Sequence, residues 1–259
     1  MGVPMISPSS TNPKVTQVGE YVFRVCFIDP FQGYVMARFA GENLKAKRAA
    51  ILRDNKSDYS IGLATVFAAR LPDFGGTIVA NEAYSQGDTD FRSQLTAIKA
   101  TNPDVIYVPG YYTDVGLIAR QARQLGIDAP MLGGGGWEST KLYELGGDAL
   151  NGHYFSNHYS PEDPRPLVKD FIARFTKRFG NPPDSLAVLG FDAANVAIAA
   201  IERAGTTDGR KVRASISETR DFPGVGGTIT LDAERNATKP AVVLKIQDGS
   251  ASFVTSVEP

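Results

Sequence analysis

Length, composition and charge place the chain among ordinary globular proteins and exclude several functions. Of its 259 residues, 42% are apolar and 21% are charged, so a full core can form without disulfides or metals. The 27 basic and 28 acidic side chains leave a net charge of −1, which argues against a nucleic-acid partner. No apolar run approaches the roughly 20 residues that cross a bilayer, so we expect a soluble protein.

The single cysteine and the two histidines do not predict catalysis or metal binding. Cys26 lies in the apolar, strand-like run Val22–Ile28, where a thiol is usually buried as a small hydrophobic side chain. A lone cysteine also excludes an internal disulfide and a multi-thiolate metal site. His153 and His158 are five positions apart, which suits neither a helical metal pair nor an acid-base pair. We expect surface or interlobe packing for both histidines, and no cofactor.

From residue 29 onward, helical and strand patterns alternate in the way that is typical of a parallel α/β sheet. The predicted helices of this part are Pro30–Leu44, Tyr59–Leu71, Asp90–Ala100 and Tyr112–Leu125. The predicted strands are Ala49–Leu52, Thr77–Ala80, Val105–Val108, Pro130–Gly133 and Gly152–Ser156. Because ligands gather at the carboxyl ends of parallel strands, the loops after these strands are the candidate binding loops.

The two ends of the chain carry different patterns. Before residue 29 we predict two short strands, Val3–Ile6 and Val22–Phe27. After residue 160 the predicted helices are Leu167–Phe179, Asp184–Ala204 and Arg210–Ser217, and the predicted strands are Gly227–Leu231, Ala241–Ile246 and Ala251–Val257. The Asp248-Gly249 pair between the last two strands predicts a hairpin.

Two enzyme classes find little support. The run Gly133–Gly136 precedes a helix capped near Ser139, as a phosphate-binding loop would, but neither a Lys-Ser/Thr pair nor a G-x-G-x-x-G pattern accompanies it. No G-x-S-x-G sequence exists, so a hydrolase is unsupported. Carboxylates at strand ends, including Asp54, Asp88 and Asp114, are compatible with acid-base chemistry but are more commonly helix caps or solvated groups. We expect Asp88 to cap the helix Asp90–Ala100.

Aromatic residues at the same strand ends are more informative. Phe31, Tyr59, Tyr111, Tyr112 and Trp137 all fall in loops or at helix starts rather than within strands. Rings that combine an apolar face with a hydroxyl suit the wall of a small-molecule cleft, although core packing explains them about equally well. We predict that Tyr59 and Tyr111 lie at the same edge of the sheet.

Several motifs in order resemble the branched-chain amino-acid (leucine-binding type) periplasmic solute-binding proteins of ABC importers. They are Met5–Pro13, Phe23–Gly33, Asp58–Gly62, Gly87–Phe91, Asn102–Tyr107, Gly110–Tyr112 and Ala122–Gly126. The resemblance implies a type I periplasmic binding fold, in which two doubly wound α/β lobes close on a ligand between them. It implies a binding protein rather than an enzyme.

The resemblance also implies roles for particular residues. Ser9 and Thr11 correspond to the loop that binds the ligand carboxylate, and Tyr59 and Tyr111 to tyrosines of the second lobe. The acid that meets the ligand ammonium corresponds to Gly135, which cannot supply a charge; Glu138 is an alternative that could equally cap a helix. Carboxylates, aromatic acids, amides and ureas are therefore credible ligands beside amino acids. The expected site residues are Ser9, Thr11, Phe31, Gln32, Tyr59, Tyr111, Gly135, Trp137 and Glu138.

The resemblance further predicts how the lobes divide the chain. Residues 1–28 would be a remnant of lobe one, 29–159 lobe two, 160–232 the crossing and the lobe-one helices, and 233–259 a hairpin of lobe two. The family starts with further strand-helix units, so we expect an incomplete first lobe and self-association through it. The expected partner is the membrane part of an importer, and the location periplasmic or extracellular, although the chain as given carries no signal peptide. The alternative function is a ligand-sensing regulatory domain of the same fold.

Overall fold

The computed structural model describes residues 2–259 and divides them into two compact units. Unit 1 comprises the described residues 2–28, 158–242 and 256–259, and unit 2 comprises residues 29–157 and 243–255. The strands are β1 Met5–Ser7, β2 Val22–Arg24, β3 Arg48–Asp54, β4 Thr77–Tyr84, β5 Val105–Tyr107, β6 Met131–Gly133, β7 Tyr154–Asn157, β8 Phe222–Gly224, β9 Gly227–Leu231, β10 Ala237–Thr238, β11 Ala241–Gln247 and β12 Ser250–Val257. The α-helices are α1 Lys14–Gln17, α2 Asp29–Arg38, α3 Asp58–Arg70, α4 Arg92–Ala100, α5 Tyr112–Gln124, α6 Thr140–Gly146, α7 Pro166–Phe179, α8 Ser185–Ala204 and α9 Gly209–Ser217.

Unit 2 is built on a seven-stranded sheet with the order β12-β11-β7-β6-β5-β3-β4. The neighbours β7-β6-β5-β3-β4 are all parallel. The central strands contain short apolar runs, such as Ile51-Leu52 and Val105-Ile106, that are fully or almost fully buried, whereas β4 at the edge of the sheet is mostly half-buried or exposed. Strands covered on both faces need such continuous apolar sequence. The predicted doubly wound α/β fold of this region is confirmed.

Unit 1 contains less regular sheet. Among the described residues it has a parallel pair, β1-β2, and an antiparallel sheet with the order β10-β9-β8. Its main core joins Phe23, Val25 and Cys26 to apolar residues of α8, α9 and β9. Cys26 is completely buried in this core, which confirms the prediction that its thiol is structural.

Helix α8 is the one described helix that is long and apolar enough to cross a membrane. Its residues Val188, Leu189 and Val196 are buried in the two core clusters of unit 1. A core helix of a folded domain has the same composition, and one face of α8 packs in this way, while Leu186 and Ile198 are exposed.

Several element boundaries differ from the predictions. Strand β1 starts at Met5 instead of Val3, because its first ladder bond is donated by the Met5 N–H to the Tyr21 carbonyl and Pro4 has no N–H. Strand β4 continues past Ala80 to Tyr84, since its pairing with β3 extends to the Asp54–Tyr84 pair. Helix α4 starts at Arg92, and Asp88 accepts a hydrogen bond from the Ser85 N–H at 2.8 Å rather than capping that helix.

Both histidines are buried, so the expectation of surface positions was wrong. His153 Nδ1 accepts the Met131 N–H at 3.2 Å within unit 2, and the His158 ring stacks on Phe27 within unit 1. Burial lowers the pKa of each imidazole below its ordinary value, that of His153 to about 3. Neutral histidine therefore fills polar core positions in both units.

The C-terminal boundary between the units also differs from the prediction. Residues 233–242 were expected in lobe two, but they belong to unit 1. Strand β10 pairs with β9, and the Arg235 guanidinium donates to the carbonyls of Val22 and Thr16 at 3.2 and 2.8 Å. Only the hairpin that follows joins the large sheet, and its two strands meet at Asp248-Gly249 as predicted.

Candidate functional site

The Tyr59 hydroxyl is the centre of a polar network in unit 2. Tyr59 lies in the first turn of α3, whose N-terminus is capped by Ser57 Oγ accepting the Ser60 N–H at 3.3 Å. The hydroxyl donates to Gln32 Oε1 at 2.8 Å and accepts the Gly136 N–H at 3.2 Å. These bonds join helix α2, helix α3 and the loop after β6, which fixes the orientation of the Tyr59 ring.

The glycine run after β6 makes this network possible. A Cβ at Gly134 would overlap Gln32 Oε1 and lie 2.6 Å from the Tyr59 hydroxyl oxygen. A Cβ at Gly136 would lie 2.8 Å from the Gly110 carbonyl oxygen and 3.1 Å from the Tyr111 ring. The run Gly133–Gly136 therefore serves close approach of the backbone to side chains, which agrees with the weak support for a phosphate loop.

The Tyr111 ring stacks on the Tyr59 ring with centroids 5.2 Å apart, which confirms that the two tyrosines lie at the same edge of the sheet. Tyr111 immediately precedes α5 and its side chain is 38% exposed. Burial, with added repulsion from the Asp29 carboxylate, raises the pKa of both phenols above the ordinary value. Both hydroxyls therefore remain protonated, and the Tyr111 hydroxyl has no hydrogen-bond partner among residues 2–259.

Gln32 and Phe31 occupy the first turns of α2, and they differ in surroundings. Gln32 is 1% exposed, and its Oε1 is held by Tyr59, while no residue of the described chain accepts a hydrogen bond from its Nε2 group. Phe31 is half-buried and stacks on Tyr34 with ring centroids 6.4 Å apart. Gln32 thus belongs to the hydrogen-bond network of Tyr59, whereas the Phe31 ring stacks on Tyr34 of the same helix.

The three other expected residues of the β6 loop have different positions. Trp137 is completely buried: its Nε1–H donates to the Val108 carbonyl at 2.9 Å and its ring stacks on Phe155. It therefore supports the loop from the core and presents no surface to a ligand. Gly135 and Glu138 are half-buried, and Glu138 closes the short turn by donating its N–H to the Gly135 carbonyl.

The strand-end carboxylates act on the backbone rather than as an acid-base pair. Asp54 Oδ1 accepts the N–H groups of Lys56 and Gln86 at 2.9 and 3.2 Å. Burial raises the pKa of Asp114, and the neighbouring charges of Asp54 and Asp88 add to that rise. Among the described residues, no group of three or more His, Cys, Asp or Glu side chains is placed to hold a metal ion.

Ser9 and Thr11 lie in unit 1, in the loop that follows β1. This loop is anchored on Arg24, whose fully buried guanidinium donates to the carbonyls of Ser10 at 2.6 Å and Asn12 at 2.8 Å. Ser7 Oγ accepts the Ser10 N–H at 3.1 Å. Ser9 is exposed and Thr11 half-buried, so the anchored backbone presents two hydroxyl groups.

Sequence reasoning missed three participants in these arrangements: Arg24, Gly134 and Gly136. The glycines were visible as a run, but their approaches to Gln32 and Tyr59 join segments about 75 to 100 positions apart, as Gly136 and Tyr59 are 77 apart. Arg24 lies in the motif Phe23–Gly33, and an arginine within an apolar run indicates a side chain that is buried and paired.

The chain matches known proteins over almost its whole length. A family model described as "Periplasmic binding protein" matches residues 1–251. The Leu/Ile/Val-binding protein homolog 3 of Brucella melitensis is 33% identical over 251 residues, which are 96% of this chain and 67% of that protein.

Two solved structures have the same fold over this whole chain. The leucine binding protein LivK from Thermotoga maritima is 43% identical with a TM-score of 0.95, and 74% of that chain is covered. The branched-chain amino acid transporter substrate binding protein LivJ from Streptococcus pneumoniae, in complex with isoleucine, is 33% identical with a TM-score of 0.92, and 73% is covered. This chain thus spans about two thirds to three quarters of the length of these proteins, so their ligands do not transfer to it by similarity alone.

Proposed function

Because the chain belongs to the periplasmic binding protein family, we propose that it binds a small amino-acid-like or carboxylate solute for an ABC importer. The names of its relatives describe binding proteins, not enzymes. The observation that carries the proposal is the Tyr59-Tyr111 pair with Gln32 and the glycine loop. It lies at the carboxyl ends of parallel strands, where such folds hold ligands.

The network offers uncharged hydrogen-bond donors beside an aromatic face. The Gln32 Nε2 group and the Tyr111 hydroxyl have donors that no described residue uses, whereas the Tyr59 hydroxyl is occupied in orienting Gln32. Such donors suit a carboxylate or an amide oxygen, and the stacked rings suit an apolar or aromatic ligand body. We assign Tyr59 to positioning and Gln32 and Tyr111 to ligand contact.

Ser9 and Thr11 are proposed to add hydroxyl donors to the ligand carboxylate. The support is local: buried Arg24 holds their loop by its backbone carbonyls and leaves the two side-chain hydroxyls on the surface. Phe31 and Glu138 are kept as proposed neighbours of the ligand. Trp137 is assigned to support of the loop because it is fully buried.

The ligand class follows from which charges are available. Position 135 is glycine, so the loop after β6 has Glu138 as its one acidic side chain between β6 and α6. A desolvated ammonium without an anionic partner costs several kcal/mol. We therefore propose that carboxylates and amides are bound at least as well as zwitterionic amino acids. The same proposal includes a periplasmic location for the chain and delivery of the solute to the membrane subunits of the importer.

Isothermal calorimetry on single-residue variants tests this assignment. A thermal-shift screen of leucine, aromatic acids and amides first identifies a ligand, which should add about 2.7 kcal/mol of stability at 100 times its Kd. Tyr111→Ala should then weaken binding by about tenfold to a hundredfold, and Tyr59→Phe by about threefold to tenfold, since one contact or one orienting hydrogen bond is lost. Tyr154→Phe is the matched control, because Tyr154 packs on Phe39 at the amino end of β7. Equal affinity in all three variants would contradict the site.

Gly135→Asp tests the ligand class separately. If position 135 is where the family's acid belongs, the added carboxylate should strengthen leucine binding about tenfold relative to the parent and weaken that of simple carboxylates. Calorimetry with leucine and an aromatic acid on the same preparation measures both. Equal or weaker leucine binding would show that the register of this loop was assigned wrongly.

A further inference from the structure

Helices α7 and α8 of unit 1 form the walls of a pocket of about 370 Å³ that shares no residue with the proposed solute site. Its lining consists of four phenylalanines, two arginines and one alanine, namely Phe171, Arg174, Phe175, Arg178, Phe179, Ala187 and Phe191. A pocket of this volume is large enough for a small molecule. A protein partner needs about 20 to 30 residues on each side, far more than line this pocket.

Packed phenylalanine rings form the apolar wall of the pocket. Phe171, Phe175 and Phe179 follow one another at intervals of four residues, so they lie along one face of α7. The ring centroids in this row are 5.7 and 4.5 Å apart, and Phe191 of α8 adds a ring 4.6 Å from that of Phe171. Ala187, one turn before Phe191, contributes only a methyl group to the lining. Such a wall suits a flat apolar group.

Two arginines lie beside this row of rings. Arg174 and Arg178 are one turn apart on α7, and each directly precedes a phenylalanine of the row. Arg174 pairs with Asp170 at 3.5 Å, but the two side chains are 63% and 62% exposed, so the pair contributes little. The Arg178 guanidinium lies 5.4 Å from the centroid of the Phe179 ring and has no hydrogen-bond acceptor in the described chain. Both guanidinium groups can therefore receive a carboxylate without losing a strong bond.

We propose that this pocket binds a small aromatic carboxylate, with its ring on the phenylalanine wall and its carboxylate on Arg174 and Arg178. A guanidinium presents a planar set of donors that matches a carboxylate, and a lining with two cations and no acidic side chain favours an anion. A rigid ring also loses less conformational entropy on this wall than a flexible chain would. The proposal does not rest on the proposed function, because the pocket is built from other residues.

Calorimetry with naphthoate and its uncharged analogue naphthamide tests the proposal. The acid should bind at least about tenfold more tightly than the amide, since only the acid accepts charge-assisted hydrogen bonds. Arg178→Gln should remove most of that preference. The matched control is Lys177→Gln, which removes the same charge from an exposed neighbouring position of α7 that does not line the pocket. The control should keep the preference.

The wall is tested by Phe179→Ala, which should weaken the binding of acid and amide alike by about tenfold. Phe179 is 58% exposed, so its truncation leaves the core of unit 1 intact. Equal affinity for the acid and the amide in the parent chain would overturn the proposal, as would equal effects of Arg178→Gln and Lys177→Gln.

Binding at the proposed solute site is separated from binding at this pocket by Tyr111→Ala, which changes no lining residue of the pocket. The preference for the acid that depends on Arg178 should survive in Tyr111→Ala. Its loss in Tyr111→Ala together with its survival in Arg178→Gln would assign the aromatic acid to the solute site and overturn the proposal. Failure of the solute assignment, in contrast, would leave the effects of Arg178→Gln and Phe179→Ala unchanged.

Discussion

The two units hold their buried polar groups by different means. In unit 2, buried polar side chains bond to the backbone near strand ends, as where Asp54 accepts the N–H groups of Lys56 and Gln86 or Trp137 donates to Val108. In unit 1, two charged side chains are fully or almost fully buried, Arg24 at the end of β2 and Lys239 directly after β10, and hydrogen bonds tie residues 16–24 to residues 235–236. Unit 2 is organised by its sheet and unit 1 by polar links between distant segments.

This difference indicates where each unit is vulnerable. Loss of one polar group in unit 2 leaves a seven-stranded sheet and its apolar core in place. Loss of the Arg24 side chain in unit 1 leaves several carbonyls without their donor in a region that has little regular ladder to hold it. Substitutions of matched residues in the two units therefore test this difference.

The largest effect is expected for Arg24→Leu in unit 1. The substitution leaves the carbonyls of Ser10, Asn12 and Pro13 without their charged donor, and the loss of these hydrogen bonds should lower the free energy of unfolding by about 3 to 5 kcal/mol. Urea unfolding followed by fluorescence, with hydrogen exchange to locate the loss, measures it.

The matched control for Arg24 is Arg48 in unit 2. Arg48 likewise donates to backbone carbonyls, those of Thr101 and Asn102, but it is exposed. Arg48→Leu should cost less than about 1 kcal/mol because water replaces the lost donor. Similar losses in the two variants would mean that the units do not differ in this way.

An intermediate effect is expected for Gly134→Ala in unit 2. The new methyl group would displace Gln32 Oε1 and the Tyr59 hydroxyl, and overpacking of this kind costs about 1 to 3 kcal/mol. Ligand affinity should fall with stability, because the network that orients Gln32 is broken. Thermal unfolding and calorimetry are the measurements.

Gly190→Ala in α8 of unit 1 is the control for that substitution. A Cβ at Gly190 meets nothing within 4 Å, and alanine favours a helix interior over glycine by up to about 1 kcal/mol. This variant should therefore be slightly more stable than the parent. If Gly134→Ala is as well tolerated, the close approach of the glycine loop is not a constraint on the site.

The sequence predicted unit 2 better than unit 1 for a physical reason. Its central strands are buried on both faces, so they contain short apolar runs followed by helices with 3.6-residue periodicity, and these local patterns reveal strands such as β3 and β5. In unit 1, β10 has two residues and exists because Ala237 and Thr238 meet β9. A two-residue strand is too short to show periodicity in the sequence, and residues 233–242 were accordingly placed in the wrong unit.

The candidate site also has features that the sequence could predict and features that it could not. Tyr59 and Tyr111 could be placed together because both follow strand ends in one parallel sheet. The bond from Gly136 to Tyr59 and the role of Arg24 could not be derived, since both depend on which distant backbone atoms approach each other. Trp137 was misread because an aromatic residue in a loop has the same sequence signature whether it faces a ligand or the core.

The smallest effect is a dependence of the stability on pH between pH 7 and pH 9 that arises from Lys239 in unit 1. Lys239 is 1% exposed, its Nζ has no hydrogen-bond partner in the described chain, and burial lowers its pKa to about 8 although Asp192 partly offsets this. Arg165, Cys26 and His158 are its other titratable or charged neighbours. The folded-state pKa lies below the unfolded value of 10.5, so above pH 7 the unfolded chain binds more protons at this group. The free energy of unfolding should therefore rise by about 1 kcal/mol from pH 7 to pH 9 through Lys239 alone.

Lys239→Met should remove that increment, while Lys169→Met, at an exposed position of α7, should keep it. Urea unfolding at the two pH values measures the difference, and identical pH profiles for the parent and Lys239→Met would mean that the amine is not held in a desolvated core.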